Sequence, residues 1–460
     1  MKRQFLTGKN VLIMGLGRFG GGVDAAIFAL NSGANVTITD SAPADKLADS
    51  IKQLEQFKEI GFRLGSHDLA DFEKADIIIP NPAVAPDNEF LQFAREKNKT
   101  ITPAINIFFE LCPAMTIGIT GANGKSTTAA LTAHLLRGGY NSQVTSHERR
   151  AAVWLSGNIG NQPLLQLIDK LSENDLVVLE LSSFQLEQLA QIEKAPQIAI
   201  LTNLTPNHLD RHKTFENYCA AKENIFKFQK LDENSPAVSI FNAQDKIACQ
   251  WFEKYDKDTG RICLKFSTDE ISQELRRNFP LPGRANLSNL AAAVKIAKHL
   301  GVDDNSIKTA LPAFKPLPHR LELVATIDGA SWYNDSIATT PQSTIAALEA
   351  FEKSVILIAG GYDKNLPFDQ LGKIISQNAK VAILIGDTAQ KISDSITAVP
   401  ENKTTIQFAS SLEEAVELAN KMAVKGDVVL LSPACASYDM FDNFQHRGDE
   451  FIRLVKQLEN

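Results

Sequence analysis

Short runs of β-branched and other apolar residues recur along the chain, each followed by a Gly- or Asn-rich turn and a helical pattern. This alternation is typical of parallel α/β sheets, in which a helix connects successive strands. Strands are predicted at residues 11–14, 36–39, 77–80, 116–120, 176–180, 198–203, 355–359, 381–385 and 428–431. We therefore expect an α/β protein built on mainly parallel sheets.

Two breaks interrupt the pattern, one at Cys112-Pro113 and one at residues 314–318. Linkers at these points divide the chain into predicted domains at 1–113, 114–316 and 317–460, in keeping with roughly 150 residues per domain. We expect the second linker to act as a hinge.

The composition excludes several classes of protein. Lys and Arg number 47 against 54 Asp and Glu, a net charge of −7 that lacks the basic footprint of a nucleic-acid binder. The five cysteines are widely spaced without a CxxC pair, so we expect free, mostly buried thiols. No apolar run approaches the roughly 18 residues of a membrane span. A cytoplasmic protein that contacts neither membrane nor nucleic acid is predicted.

A first glycine motif, residues 15–20, follows a predicted strand and precedes a helix, and Asp40 ends the next strand. Such glycines let a diphosphate approach the helix N-terminus, and the acid can accept a hydrogen bond from a ribose. The pattern fits NAD, another nucleotide diphosphate, or glycines that only pack a helix against a strand. The residues alone leave these three interpretations open.

A second glycine motif runs from Thr120 to Thr127 as TGANGKST, again between a strand and a helix. The backbone amides of such a loop surround phosphates, Lys125 supplies a positive charge and the Ser126 hydroxyl can ligate Mg²⁺. The strict P-loop pattern would need glycine at Ile119, so this loop is a variant. It predicts a site for the phosphates of ATP.

Two further strand ends in the same segment carry possible metal ligands. Glu180 ends one predicted strand, and His208 and Asp210 follow the next. Because the carboxyl ends of parallel strands converge, Lys125, Glu180 and His208 are expected to face one site. Carboxylate oxygen suits Mg²⁺, whereas His208 is a less usual ligand.

Five blocks resemble the Mur ligases in order and spacing, and a sixth extends the resemblance to the carboxyl end. They are TGANGKS at 120–126, SGNIG at 156–160, LELSSFQ at 179–185, NHLDRH at 207–212, AAK at 220–222, and LSPACASYD at 431–439 with Phe441, Phe444 and Arg447-Gly448. The resemblance covers essentially the whole chain. It implies three α/β domains: a Rossmann-like first, a P-loop ATPase-like second and a Rossmann-like third.

The resemblance implies an ATP-dependent amide ligase of peptidoglycan precursor synthesis that adds D-glutamate to UDP-N-acetylmuramoyl-L-alanine through an acyl phosphate. The first domain would then hold UDP instead of NAD. The residues implied to bind the sugar nucleotide or its neighbourhood are Gly17, Arg18, Phe19, Asp40, Ser41, Asn158 and Ser183. The protein is expected to be a monomer that takes small molecules only.

The resemblance also implies the ATP and metal sites. The residues implied for ATP are Gly121, Asn123, Gly124, Lys125, Ser126, Thr127, Asn286, Asn289, Arg320 and Asp335. Two Mg²⁺ sites would use Ser126, Glu180, His208 and Lys222. Lys222 matches a family lysine that CO₂ carbamylates, which turns a cation into an anionic oxygen ligand.

The incoming glutamate is implied to bind in the third domain, at Thr339, Lys364, Ser437 and Phe444. Lys125, His208, Lys222 and Lys364 are the residues implied in catalysis. Cys435 is interpreted as a buried packing residue.

Some positions depart from the common family pattern. Ile337 stands where many relatives have a lysine, Ala285 replaces a frequent histidine, and residues 81–84 replace a Ser-Pro-Gly turn. A related subfamily that adds L-glutamate also has isoleucine at the first of these positions. The alternatives are therefore an L-glutamate ligase, and, further away, an NAD-dependent oxidoreductase or a regulatory P-loop ATPase.

Overall fold

The computed structural model describes residues 3–18, 20–140, 151–159, 163–351 and 354–459, without the side chains of Arg3 and Asp210. Phe19 lies outside the described residues, and so does a short charged stretch, Glu148-Arg149-Arg150, for which the sequence favours a solvated loop over a site. The described residues form three sheets, and all but one of the strand pairings in them are parallel. The α/β class expected from the sequence is confirmed.

The first sheet is entirely parallel, in the order β3-β2-β1-β4-β5. Its strands are β1 (Asn10–Met14), β2 (Asn35–Asp40), β3 (Gly61–Leu64), β4 (Ile77–Pro80) and β5 (Thr100–Ile101). Its helices are α1 (Gly21–Asn31), α2 (Ala48–Lys52), α3 (Leu69–Lys74), α4 (Glu89–Glu96) and α5 (Ala104–Leu111). Four consecutive residues of β1 are buried, because a parallel sheet is covered on both faces.

The second sheet has the order β11-β10-β9-β6-β8-β7 and is also entirely parallel. Its strands are β6 (Met115–Thr120), β7 (Val153–Gly157), β8 (Leu176–Glu180), β9 (Ile198–Leu201), β10 (Ala237–Asn242) and β11 (Arg261–Phe266). The helices that follow them are α6 (Lys125–Gly139), α7 (Ser183–Ala190), α8 (Leu209–His212), α9 (Phe215–Lys227), α10 (Lys246–Tyr255), α11 (Gln273–Asn278), α12 (Arg284–His299) and α13 (Asp304–Ala310). Strand β6 lies between β8 and β9 and is parallel to both, so the carboxyl ends of all three strands lie side by side at one edge of the sheet.

The third sheet has the order β12-β13-β17-β14-β15-β16. Its strands are β12 (Glu322–Ile327), β13 (Ala330–Asn334), β14 (Val355–Gly360), β15 (Ala379–Ile385), β16 (Thr405–Phe408) and β17 (Val428–Leu431). Its helices are α14 (Pro341–Leu348), α15 (Asp369–Asn378), α16 (Ala389–Thr397), α17 (Leu412–Met422) and α18 (Phe444–Gln457). Only β12 is antiparallel, since a two-residue turn, Asp328-Gly329, with positive φ at both positions, reverses the chain into β13.

The chain forms two compact units. One contains residues 1–270 and 289–310, with the first two sheets, and the other contains residues 271–288 and 311–460, with the third. In the first unit one apolar cluster includes buried side chains of both sheets, such as Ile13 of β1 and Val177 of β8. The domain boundaries at 113 and 316 stay predictions.

Two sequence-based expectations need adjustment. All five cysteines are free, but only Cys435 is buried; the other four are half-buried, and three of these pack at the margin of the apolar cluster. The strand predicted at 198–203 ends at Leu201, because Thr202 and Asn203 turn toward the glycine loop. No helix among the described residues is long and apolar enough to cross a bilayer.

Candidate functional site

The loop between β6 and α6 approaches its neighbours too closely for side chains at two positions. Gly121 and Gly124 have φ angles of +150° and +80°, which L-residues rarely adopt. A Cβ atom on Gly121 would collide with the Thr202 hydroxyl, and one on Gly124 with the side-chain oxygen of Asn289. Glycine is therefore required at both positions for this loop shape.

Polar side chains after β9 hold the same loop. The Asn123 amide donates to Asn203 Oδ1 at 3.0 Å, and Asn203 Nδ2 donates to the Asn123 carbonyl at 3.0 Å. Thr202 Oγ1 donates to that carbonyl as well, at 2.7 Å. These hydrogen bonds from Thr202 and Asn203 were not predicted from the sequence. Two polar residues directly after a buried strand, next to a glycine loop, are the signal that could have indicated them.

Helix α6 begins at the end of the loop with Lys125, Ser126 and Thr127 in its first turn. Lys125 Nζ donates to the carbonyl of Ala122 at 2.8 Å, so the ammonium is folded back over the loop. Amides in the first turn of a helix have no intrahelical acceptor, and the helix dipole is positive there. The predicted phosphate-binding residues are thus arranged as an anion site requires.

Lys222 is buried in this region. It lies on α9 with 2% of its surface exposed, and its Nζ donates to Thr120 Oγ1 at 3.1 Å. Nζ also lies 4.9 Å from the centre of the Tyr218 ring. Burial and then the charge of Lys125 lower the pKa of Lys222 well below its ordinary value, against the attraction of Glu180.

Glu180 ends β8 with 3% of its surface exposed, and its carboxylate is only half satisfied. Oε1 accepts a hydrogen bond from Asn158 Nδ2 at 3.3 Å, and the Asn158 amide donates to the Glu180 carbonyl at 2.9 Å. Oε2 is buried and has no hydrogen-bond partner in the described part of the chain. A buried, unpartnered carboxylate oxygen is what a hard cation such as Mg²⁺ would bind.

Within the described residues no three His, Cys, Asp or Glu side chains come together as a metal-binding group. Glu180 therefore has no ready-made set of such partners. The predicted metal ligands Ser126 and Lys222 are neither His, Cys, Asp nor Glu. The absence of such a group among the described residues therefore does not bear on their predicted role. Magnesium sites with few protein ligands are common where a nucleotide phosphate completes the coordination.

His208 immediately precedes α8 as its N-cap residue, in the left-handed conformation with φ of +52° and with an exposed side chain. Its ring centre lies 5.2 Å from that of Phe184. The side chain of Asp210 is outside the described residues. That His208 faces one site with Lys125 and Glu180 stays a prediction.

The buried histidine of this segment is His212. Its Nε2 forms a hydrogen bond with Ser183 Oγ at 2.9 Å, and its ring stacks on Phe184. Ser183, predicted near the sugar nucleotide, is itself 2% exposed. The Arg211 guanidinium lies 3.9 Å over the Phe184 ring and donates to the Pro82 carbonyl at 2.9 Å. These contacts order α8 around one aromatic ring.

In the first glycine motif, Asp40 binds backbone amides of the protein. Its Oδ2 accepts from the Gly17 amide at 3.0 Å and its Oδ1 accepts from the Ala42 amide at 2.8 Å. Both carboxylate oxygens thus shape the loop in which the predicted UDP residues lie. Arg18 and Ser41 are exposed beside it.

Asp335, predicted for the ATP ribose, lies in the second compact unit just after β13 with 5% of its surface exposed. Its carboxylate accepts from Ser432 Oγ at 2.8 Å and from the Leu321 amide at 3.2 Å. Burial raises its pKa to about 7, and the charge of Arg320 opposes that shift. Asp335 and Arg320, the two residues of this segment that are predicted to bind ATP, therefore interact electrostatically with each other.

The two predicted adenine-side asparagines have different partners. Asn286 Nδ2 donates to the Pro282 carbonyl at 2.7 Å. Asn289 Oδ1 accepts from Thr128 Oγ1 of α6 at 3.2 Å. Asn289 is thus fastened to the helix that follows the glycine loop.

Two of the residues predicted for glutamate, Lys364 and Ser437, lie on loops that pair with each other. An antiparallel bridge joins Tyr362, two residues before Lys364, to Ala436, the residue before Ser437. Lys364 is exposed, whereas Ser437 is 2% exposed. Ser336 Oγ donates to the Phe444 carbonyl at 2.8 Å, which brings the start of α18 to the loop that contains Thr339.

Arg447 of α18 links these loops and received no role in the sequence analysis. It is 1% exposed, and its guanidinium donates to Ser336 Oγ at 3.0 Å and to the carbonyls of Ser336, Cys435 and Ala436 at 2.9, 3.1 and 3.3 Å. Burial lowers its pKa to about 10. The sequence signalled it through the Arg447-Gly448 pair of the sixth block that resembles the Mur ligases and through its place on the same helix face as buried Phe451.

Comparison with known proteins decides the family. The Mur ligase middle domain matches residues 119–297, and the Mur ligase glutamate ligase domain matches residues 319–435. A UDP-N-acetylmuramoylalanine--D-glutamate ligase of Acetivibrio thermocellus is 37% identical over 99% of this chain and 97% of its own length. One from a Roseiflexus species is 38% identical over 98% of this chain and 99% of its own. The chain belongs to the Mur ligase family.

Solved structures agree at the level of the fold. A UDP-N-acetylmuramate-alanine ligase from Thermotoga maritima superposes with a TM-score of 0.58 at 18% identity, covering 98% of this chain and 99% of its own. A pseudomurein peptide ligase type C from Methanothermus fervidus gives 0.53 at 17% identity, covering 98% and 100%. The predicted membership is confirmed, and this Mur ligase is an ATP-dependent enzyme that forms amide bonds. Enzymes of the family use ATP and Mg²⁺.

Proposed function

We propose that this Mur ligase joins D-glutamate to UDP-N-acetylmuramoyl-L-alanine in the cytoplasmic synthesis of peptidoglycan precursors. The observation that carries the proposal is the near full-length identity, 37 and 38%, to two enzymes named for that reaction. The half-buried Lys125 and the buried Glu180 and Lys222 at the edge of the second sheet support it, because phosphoryl transfer needs charge compensation of this kind.

The ATP phosphates would bind in the loop from Gly121 to Thr127, with Lys125 as the nearest cation. Glu180, Ser126, His208 and a carbamylated Lys222 would hold two Mg²⁺ ions, which supply charge neutralisation for the phosphates when bound. The half-satisfied Glu180 carboxylate fits such a role. Asn286, Asn289, Arg320 and Asp335 would complete the nucleotide site.

Carbamylation of Lys222 is chemically reasonable in this environment. The amine must be neutral to attack CO₂, and it forms an N–C bond while releasing one proton, which leaves a carbamate anion. Burial and the neighbouring Lys125 lower the pKa of Lys222 well below its ordinary value, which favours the neutral, reactive amine over the ammonium form. The Thr120 hydroxyl, 3.1 Å away, fixes the position of Nζ.

The reaction would proceed in two steps on the substrate. The γ-phosphoryl group of ATP passes to the L-alanyl carboxylate, and Lys125 stabilises the charge that develops on the phosphoryl oxygens. The glutamate amine then attacks the acyl phosphate carbon, forms the amide and displaces phosphate. His208 and Lys364 are the residues we assign to the second step, and Asn158 to the sugar of the nucleotide.

Glutamate would bind where the loops of Thr339, Lys364, Ser437 and Phe444 meet. Two observations concern the positive charge that is available to the anionic glutamate. Lys364 is exposed to an incoming anion, and Arg447 places a buried positive charge behind Ser336, the residue before Ile337. Together they supply the cationic character that Ile337 lacks. We propose D-glutamate as the substrate and a monomer as the active form.

Release of phosphate tests the proposal. The protein is incubated with ATP, Mg²⁺, UDP-N-acetylmuramoyl-L-alanine and either D- or L-glutamate, and each component is omitted in turn. We expect phosphate release that requires all components and prefers D-glutamate. Release with L-glutamate alone would reverse the assigned stereochemistry, and release that ignores both substrates would contradict the ligase reaction.

A further inference from the structure

Asp24 is a buried acid that no part of the proposed reaction uses. It lies in the first turn of α1, the helix opened by the first glycine motif, and is 5% exposed. Its carboxylate accepts four hydrogen bonds, and all four come from the segment 164–166 that follows the second sheet's β7. A carboxylate in this first turn would repel a diphosphate bound at the same positive end of the helix. We therefore expect Asp24 to serve another interaction.

The four hydrogen bonds fully occupy the carboxylate. Oδ2 accepts from the amides of Leu164 at 2.9 Å and Leu165 at 2.7 Å. Oδ1 accepts from the Gln166 amide at 3.1 Å and from its side-chain Nε2 at 3.0 Å. Hydrogen bonds to a buried carboxylate are about twice as strong as neutral ones, so α1 and this segment are firmly joined.

The segment 164–166 is in turn fastened to the sugar-side residues. The carbonyl of Pro163 accepts from Ser156 Oγ on β7 at 2.9 Å. Two residues later Asn158 binds Glu180 through both its backbone and its side chain. Hydrogen bonds, together with the short backbone steps from Leu164 to Pro163 and from Ser156 to Asn158, therefore connect the helix of the first glycine motif to Asn158.

We propose that Asp24 is a positioning residue that fixes the distance between the UDP end and the sugar-peptide end of the substrate site. This inference rests on the proposed function, in which Gly17 and Arg18 meet the UDP and Asn158 meets the sugar. Asp24 itself touches neither. It holds the two binding elements in the register that one elongated substrate needs, and so contributes affinity through preorganisation.

The role is tested by comparing a fragment with the whole substrate. In Asp24→Asn, the amide NH₂ faces amide donors and loses hydrogen bonds on one side. We expect affinity for UDP alone, measured by calorimetry, to change less than about twofold. Affinity for UDP-N-acetylmuramoyl-L-alanine should fall on the order of tenfold, and KM for it should rise more than kcat falls.

Two further variants complete the experiment. Gln166→Ala removes one of the four hydrogen bonds and should give a smaller effect of the same pattern, which also serves if Asp24→Asn does not fold. Asp49→Asn removes an exposed first-turn acid of α2 and should leave both affinities unchanged.

Equal losses for UDP and for the whole substrate, or no loss for either, would overturn the inference. Failure of the wild-type protein to turn over the substrate would instead contradict the proposed function.

Discussion

Nζ of Lys222 lies 3.1 Å from the hydroxyl of Thr120, the last residue of the strand that leads into the glycine loop. The Thr120 hydroxyl donates its own proton to the Leu181 carbonyl at 2.8 Å and therefore accepts from the lysine. One threonine thus fixes the amine relative to β6 and to the start of α7. This places the reactive nitrogen at the edge where β6 and β8 end.

Replacement of Lys222 should abolish activity in a way that small carboxylates can repair. In Lys222→Ala the proposed carbamate is missing, so we expect phosphate release to fall on the order of a hundredfold or more. Added formate or acetate should restore part of the rate, because a carboxylate can occupy the vacated anionic position. Lys227→Ala, an exposed lysine on the same helix, is the control and should be fully active.

Glu180→Gln should raise the Mg²⁺ requirement. The substitution replaces one carboxylate oxygen by an NH₂ group and removes the negative charge beside Lys125 and Lys222. We expect the Mg²⁺ concentration at half-maximal phosphate release to rise about tenfold or more. Glu173→Gln, at an exposed position before β8, should leave that concentration unchanged. An unaltered Mg²⁺ dependence in Glu180→Gln would remove Glu180 from the metal site.

Gly124→Ala should disrupt the loop for two separable reasons, the positive φ and the collision with the Asn289 side chain. We expect ATP affinity and thermal stability both to fall, with about 1 kcal/mol or more from the backbone conformation alone. The double variant Gly124→Ala/Asn289→Ala relieves the collision but not the φ strain. Its stability loss, measured by denaturant unfolding, should be smaller than the sum of the two single losses. Simple additivity would show that the Asn289 contact is unimportant.

Asp335 predicts a pH-dependent stability. Its pKa of about 7 in the folded protein exceeds the ordinary value of 3.8, so the folded state holds a proton that the unfolded state has lost between these values. The contribution of Asp335 to the free energy of unfolding therefore falls as pH rises from about 4 to about 7. Without nucleotide, Asp335→Asn should become more stable relative to wild type as pH rises over this range. Urea unfolding at several pH values measures the difference, and a constant difference would contradict the raised pKa.

Sequence patterns predicted much of the buried architecture. The runs at 11–14, 176–180 and 428–431 are strands because fully covered parallel strands are continuously apolar and easy to recognise. The edge strands β3 and β16 were missed because their exposed faces interrupt that pattern. β12 and β13 were missed because they form an antiparallel hairpin of mixed residues.

The site was predictable only where a local motif carries the chemistry. The glycine loop has such a motif, so Lys125 and Ser126 could be placed from sequence alone. Lys222 on its helix reads as an ordinary surface lysine, and only the resemblance to the Mur ligases singled it out. Its burial depends on Thr120 and Tyr218, and the first of these is 102 positions away in sequence. Asp24 gave no signal, because its partners at 164–166 are fixed by tertiary structure.

The buried Arg447 has a consequence for the gene as well as for the protein. It lies on α18, outside the loops around Ser336 and Ala436, yet four oxygen atoms in those loops accept hydrogen bonds from it. A stop codon shortly before this arginine would remove most of α18 and with it the support of the proposed glutamate site. Truncations that remove Arg447 should therefore behave as complete loss-of-function alleles, even when all three sheets are left intact.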